Sequence, residues 1–408
     1  MKIAFWGNFG TQNFGNECTL AAILLNFRQR MPQADLVVIA VAPEDVRARH
    51  QVEAIPMWNE PPDSYEPWGP LRILRVIRRG FGQIGEWRRA FRQSRGLDAL
   101  IIPGTGVLND HNEGMFGLPY HLFKWALATR LLGGKVIFVS VGAERISRPL
   151  SRFFIRSALR MAERRSFRDP HALAQVRSIG FTGASDVFPD LAFSLPKPAS
   201  AEMVLRRSRP AIALGLYDYK HRGRDGATEK AAYERYLERI CTLILWLSEH
   251  EYSVRVIIGD MSYDMDVRAD VRSQLQRRGF DLTRDSYADE PAESYELIMN
   301  QLNTVDLVVA SRFHNILLAL YLGKPVVSLS YEAKIEALML DMGLQEFCQT
   351  LEEFDLEKVI EQISQLETRA ASVHAMIADR ARINREKLER QYALIMTSLG
   401  VSPLARSG

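Results

Sequence analysis

Short apolar, β-branched runs alternate along this chain with segments of helical periodicity. Residues 306–310 form the clearest such run, and after them the apolar residues recur at helical spacing until Gly323 and Pro325 end the pattern. A run of this kind predicts a strand that is buried on both faces of a parallel sheet. The alternation therefore predicts an α/β fold with right-handed crossovers.

The alternation occurs in two series, separated by a charged segment with three prolines at 195–210. The first series has strands at 3–6, 36–41, 97–103, 135–141 and 165–168, and the second at 211–216, 252–258, 306–310 and 325–329. We therefore expect two Rossmann-like halves with a deep cleft between the domains and a long C-terminal helix. The predicted bounds are 1–195 for the N-terminal domain, 196–209 for the linker, 210–366 for the C-terminal domain and 367–408 for a helix that packs back across both.

Composition excludes several classes of protein. A net charge of +3, from 52 basic and 49 acidic residues, gives no argument for nucleic acid binding. Three widely spaced cysteines without a CxxC pair argue against a disulfide framework or a zinc site and fit a reducing compartment. The chain starts with a predicted strand, and it has no apolar run of 18 residues. We expect a soluble, cytoplasmic protein.

One basic segment stands out at residues 71–95. Eight arginines alternate there with apolar and aromatic side chains. The pattern is consistent with peripheral contact at the inner face of a membrane, or with an anionic lipid-linked substrate. A solvated helix face explains the same pattern, and the sequence leaves both interpretations open.

The turn at 311–315 is the strongest candidate site. Arg312 and His314 lie where a predicted strand leads into a predicted helix. Backbone N–H groups at a helix start favour an anion. Arg312 adds a planar set of donors, and His314 can exchange a proton near neutral pH. The turn suits a phosphorylated or carboxylated ligand that needs acid catalysis, although a solvated arginine and a structural histidine would give the same residues.

Other polar or glycine-rich turns also follow predicted strands, which is where ligands bind in open α/β sheets. They span 7–16, 103–110, 142–145 and 259–264. The first loop is neither GxGxxG nor GxxxxGK[ST], so it supports neither a dinucleotide site nor a P-loop. Asp260 and Asp264 are too isolated to predict a metal site. Glu17 can cap its helix or act as a base near a sugar hydroxyl, and Lys334 can reach the same region as His314.

These residues resemble the polysaccharide pyruvyl transferases. The resemblance covers roughly residues 1–345. It rests on the loop 7–17, Pro103-Gly104-Thr105-Gly106, Phe167-Arg168-Asp169, Asp190-Leu191-Ala192-Phe193, Ser311-Arg312-Phe313-His314 and Tyr331-Glu332-Ala333-Lys334. The family's turn after the third major strand is often rich in consecutive glycines, whereas Pro103 and Thr105 interrupt it here.

The resemblance implies a GT-B-like fold and the transfer of pyruvate from phosphoenolpyruvate to two hydroxyls of a sugar, giving a cyclic ketal. It implies no cofactor and no metal. The donor would bind the C-terminal half and a sugar or lipid-linked oligosaccharide the N-terminal half. Under this hypothesis the catalytic residues are His314, Arg312 and Lys334. Donor binding adds Asn315 and Arg168, and the acceptor-binding candidates are Asn13, Asn16, Glu17, Asn109 and Asp190.

Two other functions fit the same architecture. One is a GT-B-type glycosyltransferase that uses a nucleotide sugar, and the other is a non-catalytic protein that binds glycans or anions. The sequence does not identify the acceptor sugar, the hydroxyl pair or the oligomeric state.

Overall fold

The structure is a computed structural model that describes residues 1–59, 70–111, 114–198, 209–218 and 226–401, without the side chains of 70–81 and 226–229. The described residues form two compact units. The first unit is drawn from Met1–Thr11, Asn16–Leu195 and Glu386–Gly408, and the second from Gln12–Gly15 and Pro196–Arg385. Most of the predicted linker lies outside the described residues, as does segment 60–69.

A parallel sheet of seven strands forms the centre of the first unit, in the order β3-β2-β1-β4-β5-β6-β7. The strands are β1 Lys2–Trp6, β2 Asp35–Ala40, β3 Glu53–Pro56, β4 Ala99–Pro103, β5 Lys135–Val141, β6 Arg164–Phe167 and β7 Asp186–Val187. In the register, Ile3 lies opposite both Leu36 and Ala99. Central strands such as β4 are buried along their whole length, as their continuous apolar sequence predicts.

Helices connect these strands. They are α1 Phe14–Arg30, α2 Pro43–His50, α3 Pro70–Ser94, α4 Leu118–Leu131, α5 Pro149–Met161 and α6 Pro170–Ser178, followed by a 3₁₀ turn at Leu191–Ser194. Sequence analysis did not predict α2 or β3. It began α1 at Glu17, whereas the helix starts three residues earlier and therefore includes part of the asparagine-rich loop.

The second unit contains a parallel sheet of six strands in the order β10-β9-β8-β11-β12-β13. The strands are β8 Ala211–Gly215, β9 Ser253–Ile257, β10 Tyr287–Ala288, β11 Leu307–Ala310, β12 Val326–Ser330 and β13 Cys348–Thr350. The helices are α7 Gly226–Glu249, α8 Asp264–Arg277, α9 Tyr295–Asn303, α10 Phe313–Tyr321, α11 Ala333–Asp341, α12 Leu356–Thr368 and α13 Ala370–Leu399. Two doubly wound α/β units confirm the predicted fold class.

Each sheet reverses its strand order once. The reversal lies between β1 and β4 in the first unit and between β8 and β11 in the second. Ligands of doubly wound folds bind beyond the carboxyl ends of the strands at such a point. The loop after β1, the turn after β4 and the turn after β11 therefore lie at the expected places.

The end of α13 belongs to the first unit. Leu388, Tyr392 and Ile395 of this helix are buried. Gln391 is also buried, and its amide donates to the hydroxyls of Ser140 at 3.0 Å and Ser166 at 2.6 Å. These polar bonds attach the helix to the ends of β5 and β6.

We expect Gln391→Leu to destabilise the protein by about 1–3 kcal/mol, because the buried Ser140 hydroxyl loses its bonds to the amide and the Ser166 hydroxyl loses one of its donors. Urea denaturation would measure the change in the free energy of unfolding. The neighbouring exposed Arg390→Ala is the control and should change it by no more than about 0.5 kcal/mol. Equal effects of the two substitutions would contradict this role for Gln391.

Within the described residues, no helix combines the length and the hydrophobicity needed to cross a bilayer. The basic segment 71–95 falls almost entirely in α3, of which the side chains from Gly82 onward are described.

Candidate active site

The turn after β11 holds Arg312 and His314 at the start of α10. Arg312 is the N-cap residue, and His314 lies in the first turn. The guanidinium donates from Nε to Oδ2 of Asp264 at 3.1 Å and from Nη2 to Oδ1 at 2.5 Å. Two parallel bonds of this kind fix the plane of the guanidinium. Because they use the Nε–Nη2 edge, an anionic ligand would approach Nη1.

Asp264 is the structural centre of this turn. Its buried carboxylate also accepts backbone N–H bonds from Asp218 at 3.1 Å and from Gly259 and Asp260 at 3.0 Å. It thereby joins the segments that follow β8 and β9 to Arg312. Burial by itself lowers the pKa of Arg312, but Asp264, with Tyr331 and Asp260, more than offsets burial and raises this pKa, so the guanidinium stays charged.

Two tyrosines support Arg312 from the other side. The guanidinium carbon lies 4.7 Å from the ring centre of Tyr217. Tyr217 in turn stacks on Tyr331, with ring centres 4.1 Å apart and planes at 28°. A cation over an aromatic face is stabilised electrostatically, and the stack restricts the arginine to one orientation.

His314 packs against the glycine-rich loop. A Cβ atom at Gly15 would lie 2.1 Å from Nδ1 of His314, so only glycine fits there with the imidazole in place. The loop is held by Asn13, which donates from Nδ2 to Oδ2 of Asp260 at 2.9 Å and accepts a bond from Gly15 N–H at 3.1 Å. Both loop residues belong to the second unit. The structure thus brings Asn13, predicted to bind the acceptor, to the same unit as His314.

Asn315 lies beneath the turn and is buried. Glycines make room for it, since a Cβ at Gly215 would lie 3.3 Å from its Nδ2 and a Cβ at Gly259 would lie 3.2 Å from its Oδ1. Its Nδ2 has no hydrogen-bond partner among the described residues. Such a buried donor is rare in folded proteins, where buried polar groups are normally hydrogen-bonded.

Lys334 lies at the start of α11, after the neighbouring strand β12, and its ammonium pairs with the carboxylate of Glu332. The pair lies at the same edge of the sheet as Arg312, because β11 and β12 are adjacent and parallel. Asp260 is also buried here, and burial raises its pKa while the charge of Arg312 opposes that shift.

In the first unit, Glu17 holds the loop after β1. Its Oε1 accepts a bond from Gly10 N–H at 2.9 Å, and its Oε2 lies 2.8 Å from Nε2 of His50. The carboxylate is buried. These are the contacts of a carboxylate that supports the loop, and neither of them is the bond to a first-turn amide of α1 that helix capping would need. Nearby, Asn16 donates to the Thr11 hydroxyl at 3.5 Å.

Arg168 and Asp190 form one buried ion pair in the first unit. Nη1 of Arg168 lies 3.3 Å from Oδ2 of Asp190, whose other oxygen caps the 3₁₀ turn through Ala192 N–H at 3.0 Å. A Cβ at Gly142 would lie 3.0 Å from Nη2 of Arg168, so the guanidinium lies over the end of β5. Sequence analysis assigned Arg168 to the donor and Asp190 to the acceptor, yet the two are direct partners.

Asn109 shapes the turn after β4. Its Nδ2 donates to the carbonyl of Gly106 at 2.5 Å, and its Oδ1 accepts a bond from His111 N–H at 3.1 Å. The next residue, Asp110, accepts bonds from the backbone N–H groups of Ser147 and Arg148 at 3.0 and 2.6 Å. Both side chains thus have clear roles in turn geometry.

The structure gathers Arg312, His314, Asn315 and Asn13 in the second unit, and Arg168 with Asp190 in the first. Sequence analysis did not identify Tyr217 or the role of Asp264. The sequence signal that pointed to Asp264 was an acidic residue shortly after β9. Because β9 and β11 are the two neighbours of β8 in a parallel sheet, residues that follow these strands lie at the same edge. Among the described residues, no three histidine, cysteine or acidic side chains form a metal-binding group.

Solved structures with the same architecture define the class of this protein. Staphylococcus aureus MnaA, in a structure with UDP, has 13% identity and a TM-score of 0.60, covering 98% of this chain and 97% of that one. A Rickettsia africae glycosyltransferase has 11% identity and a TM-score of 0.59, covering 98% of each chain. The UDP-GlcNAc 2-epimerase of Neisseria meningitidis, with UDP-GlcNAc bound, has 13% identity and a TM-score of 0.56, covering 96% and 100%. The fold is therefore a GT-B-like pair of Rossmann-type units.

Within this class, the family model "Polysaccharide pyruvyl transferase" matches residues 13–333. The chain belongs to that family. No protein in the curated set matches it in sequence.

Proposed function

We propose that this protein transfers pyruvate from phosphoenolpyruvate to two hydroxyls of a sugar, giving a cyclic ketal on a polysaccharide or its lipid-linked precursor. Membership of the pyruvyl transferase family supports the reaction class. The turn after β11 is the observation that carries the choice of donor. It combines a fixed guanidinium, an imidazole and the first-turn amides of a helix.

Phosphoenolpyruvate has two anionic groups, a phosphate and a carboxylate, so its site needs several N–H donors. In our proposal Nη1 of Arg312 and the first-turn amides of α10 bind one of these groups. Asn315 Nδ2 and Lys334 are the further donors for the other group. Donors that are already fixed by Asp264 and by packing need little reorganisation when charge develops during the reaction.

The chemistry requires an acid near the methylene carbon. His314 donates a proton to C3 of phosphoenolpyruvate, and C2 becomes oxocarbenium-like. One sugar hydroxyl forms a bond to C2, the C2–O bond to phosphate breaks, and the second hydroxyl closes the ring. Of the two hydroxyl protons, one restores the proton of His314 and the other leaves with the phosphate. No oxidant or reductant is needed.

The acceptor, in this proposal, binds at the strand ends of the first unit. Arg168 and Asp190 act there as a single polar pair that can orient sugar hydroxyls. Asn16 lies in the first turn of α1 and Asn109 in the turn after β4, on the two sides of the sheet reversal, and their amides are suited to sugar recognition. Glu17 acts indirectly, through the shape of the loop after β1.

Phosphate release from phosphoenolpyruvate tests the function. The assay would use the full chain with a panel of lipid-linked and synthetic galactosides, mannosides and N-acetylhexosamines. Acceptor-dependent release, with a product heavier by one pyruvate ketal, is the expected result. Tight binding of a nucleoside diphosphate, with no phosphate release across the panel, would instead support a nucleotide-sugar glycosyltransferase. Ligand binding without any turnover would support a glycan- or anion-binding protein.

We expect His314→Ala to lower kcat by about a hundredfold or more, because general acid catalysis typically contributes 10²–10⁴-fold. Binding of phosphoenolpyruvate should change less than with Arg312→Ala, since the guanidinium supplies the charge. Isothermal titration with phosphoenolpyruvate, together with the phosphate assay, separates the two effects. His374→Ala, at an exposed histidine of the same unit, is the control. Full activity of His314→Ala would show that the acid is another group.

A further inference from the structure

A chain of aromatic rings lies along helices α3, α4 and α5 of the first unit. We call it the aromatic face, formed by Trp87, Phe91, Phe123, Phe153 and Phe154. Adjacent ring centres are 5.9 Å apart for Trp87 and Phe91, 6.3 Å for Trp87 and Phe123, and 5.3 Å for Phe123 and Phe154. Phe153 is 48% exposed, and the other four rings are half-buried. The face is continuous and reaches solvent.

Other exposed apolar side chains lie on the same helices or beside them. Of the eleven large hydrophobic residues that are exposed in the described part of the chain, six are here: Ile84, Met115, Leu131, Leu132, Leu150 and Phe153. Single exposed apolar residues are normal, whereas a concentration beside a ring cluster marks a surface that binds something apolar.

The charge of these helices indicates what kind of partner binds the aromatic face. Together, α3, α4 and α5 contain twelve lysines and arginines and a single acid, although the whole chain is nearly balanced at 52 to 49. The single acid, Glu86, is buried and accepts a bond from the ammonium of Lys124 at 2.9 Å. No carboxylate of these helices therefore offsets the exposed arginines, such as Arg88, Arg92 and Arg160.

We propose that the aromatic face docks on an anionic lipid bilayer. Aromatic rings insert at the boundary between headgroups and acyl chains, and arginines beside them pair with lipid phosphates. A second copy of this chain is a poorer occupant, because a two-fold interface would place the same arginines against each other. The inference does not depend on the pyruvyl transfer reaction, since its test measures binding to lipid alone.

Co-sedimentation of the full chain with vesicles tests the proposal. One set would contain phosphatidylcholine only, and the other would include about one third phosphatidylglycerol. We expect roughly tenfold more binding to the anionic vesicles and loss of that gain at high salt, because exposed charges are screened. Equal binding to both sets, or no binding to either, would overturn the proposal.

Two matched pairs of variants locate the surface. Leu150→Ser with Phe153→Ser should weaken vesicle binding about tenfold, because two exposed apolar side chains no longer insert. The control is Leu297→Ser with Leu340→Ser, at residues that are 46% and 63% exposed in the second unit. Because all four positions are exposed, both variants are expected to fold, and thermal melting would verify this. Equal binding by the two double variants would contradict the location.

A charge variant completes the test. Arg88→Gln, Arg92→Gln and Arg160→Gln together should remove most of the preference for anionic vesicles. The control carries the same change at Arg277, Arg380 and Arg390, which are also exposed. If both triple variants lose binding equally, attraction depends on net charge and not on this face. If the substitutions at Leu150 and Phe153 instead convert a dimer into a monomer in sedimentation velocity, the face is a contact between copies and the proposal fails.

Discussion

Asp264→Ala is expected to destabilise the protein by about 3–5 kcal/mol, because it leaves the mostly buried guanidinium of Arg312 without its counter-charge. Three backbone N–H groups, of Asp218, Gly259 and Asp260, lose their acceptor in the same step. Pyruvyl transfer should also fall by at least a hundredfold, since Arg312 would no longer be held in one orientation. Urea denaturation and the phosphate assay measure the two effects.

The exposed Asp266, in the same helical turn, provides the control. Asp266→Ala should change the free energy of unfolding by no more than about 0.5 kcal/mol. In Asp264→Ala with Arg312→Met, both charges are removed, and part of the lost stability should return. A double variant that is less stable than Asp264→Ala alone would show that the ion pair does not cause the effect.

Local sequence patterns were sufficient for the central strands of the two sheets and for the turn after β11. Strands such as β11 and helices such as α10 are determined by apolar periodicity and by Gly323, all within about fifteen residues. Asp169 likewise caps α6 through a bond between near neighbours in the chain, accepting from Ala172 N–H at 2.7 Å. Features of this kind depend on neighbours in the chain, so they can be predicted without knowing the fold.

Partners that are distant in sequence were not predictable. Asp264 lies 48 residues before Arg312, and Asn13 lies 247 residues before Asp260. Sequence analysis therefore assigned no role to Asp264, although its carboxylate serves Arg312 and three amides. It also grouped Asn13 with the first half, whereas Gln12–Gly15 belongs to the second unit. Only the packing of the folded unit brings these groups together.

The same distinction applies to α13. The sequence predicted a long C-terminal helix within 367–408, and α13 spans Ala370–Leu399. Its hydrogen bonds from Gln391 to Ser140 and Ser166 span more than 200 residues and leave no local pattern. The length of the helix is therefore determined by its own residues, whereas the contacts that hold it in place depend on the folded structure.

Gly15→Ala should lower kcat/KM by about a hundredfold while reducing the free energy of unfolding by about 1–3 kcal/mol. The new methyl group would lie 2.1 Å from Nδ1 of His314, and an imidazole can rotate away more easily than the backbone can move. The imidazole of His314 would then lie outside the range of positions from which it can transfer a proton. The bond from Asn13 to Asp260 would be disturbed as well. Steady-state kinetics and thermal melting measure the two quantities.

The α3 glycines Gly82 and Gly85 provide the control, since a Cβ at either position meets nothing within 4 Å. Alanine there should leave kcat/KM unchanged and stabilise the helix slightly. In a background of His314→Ala, Gly15→Ala should cause much less further loss, because its main target is already absent. Independent, multiplicative losses in the double variant would mean that Gly15 acts through the loop and not through the imidazole. The double variant therefore separates a glycine needed for the position of His314 from one needed only for the path of the chain.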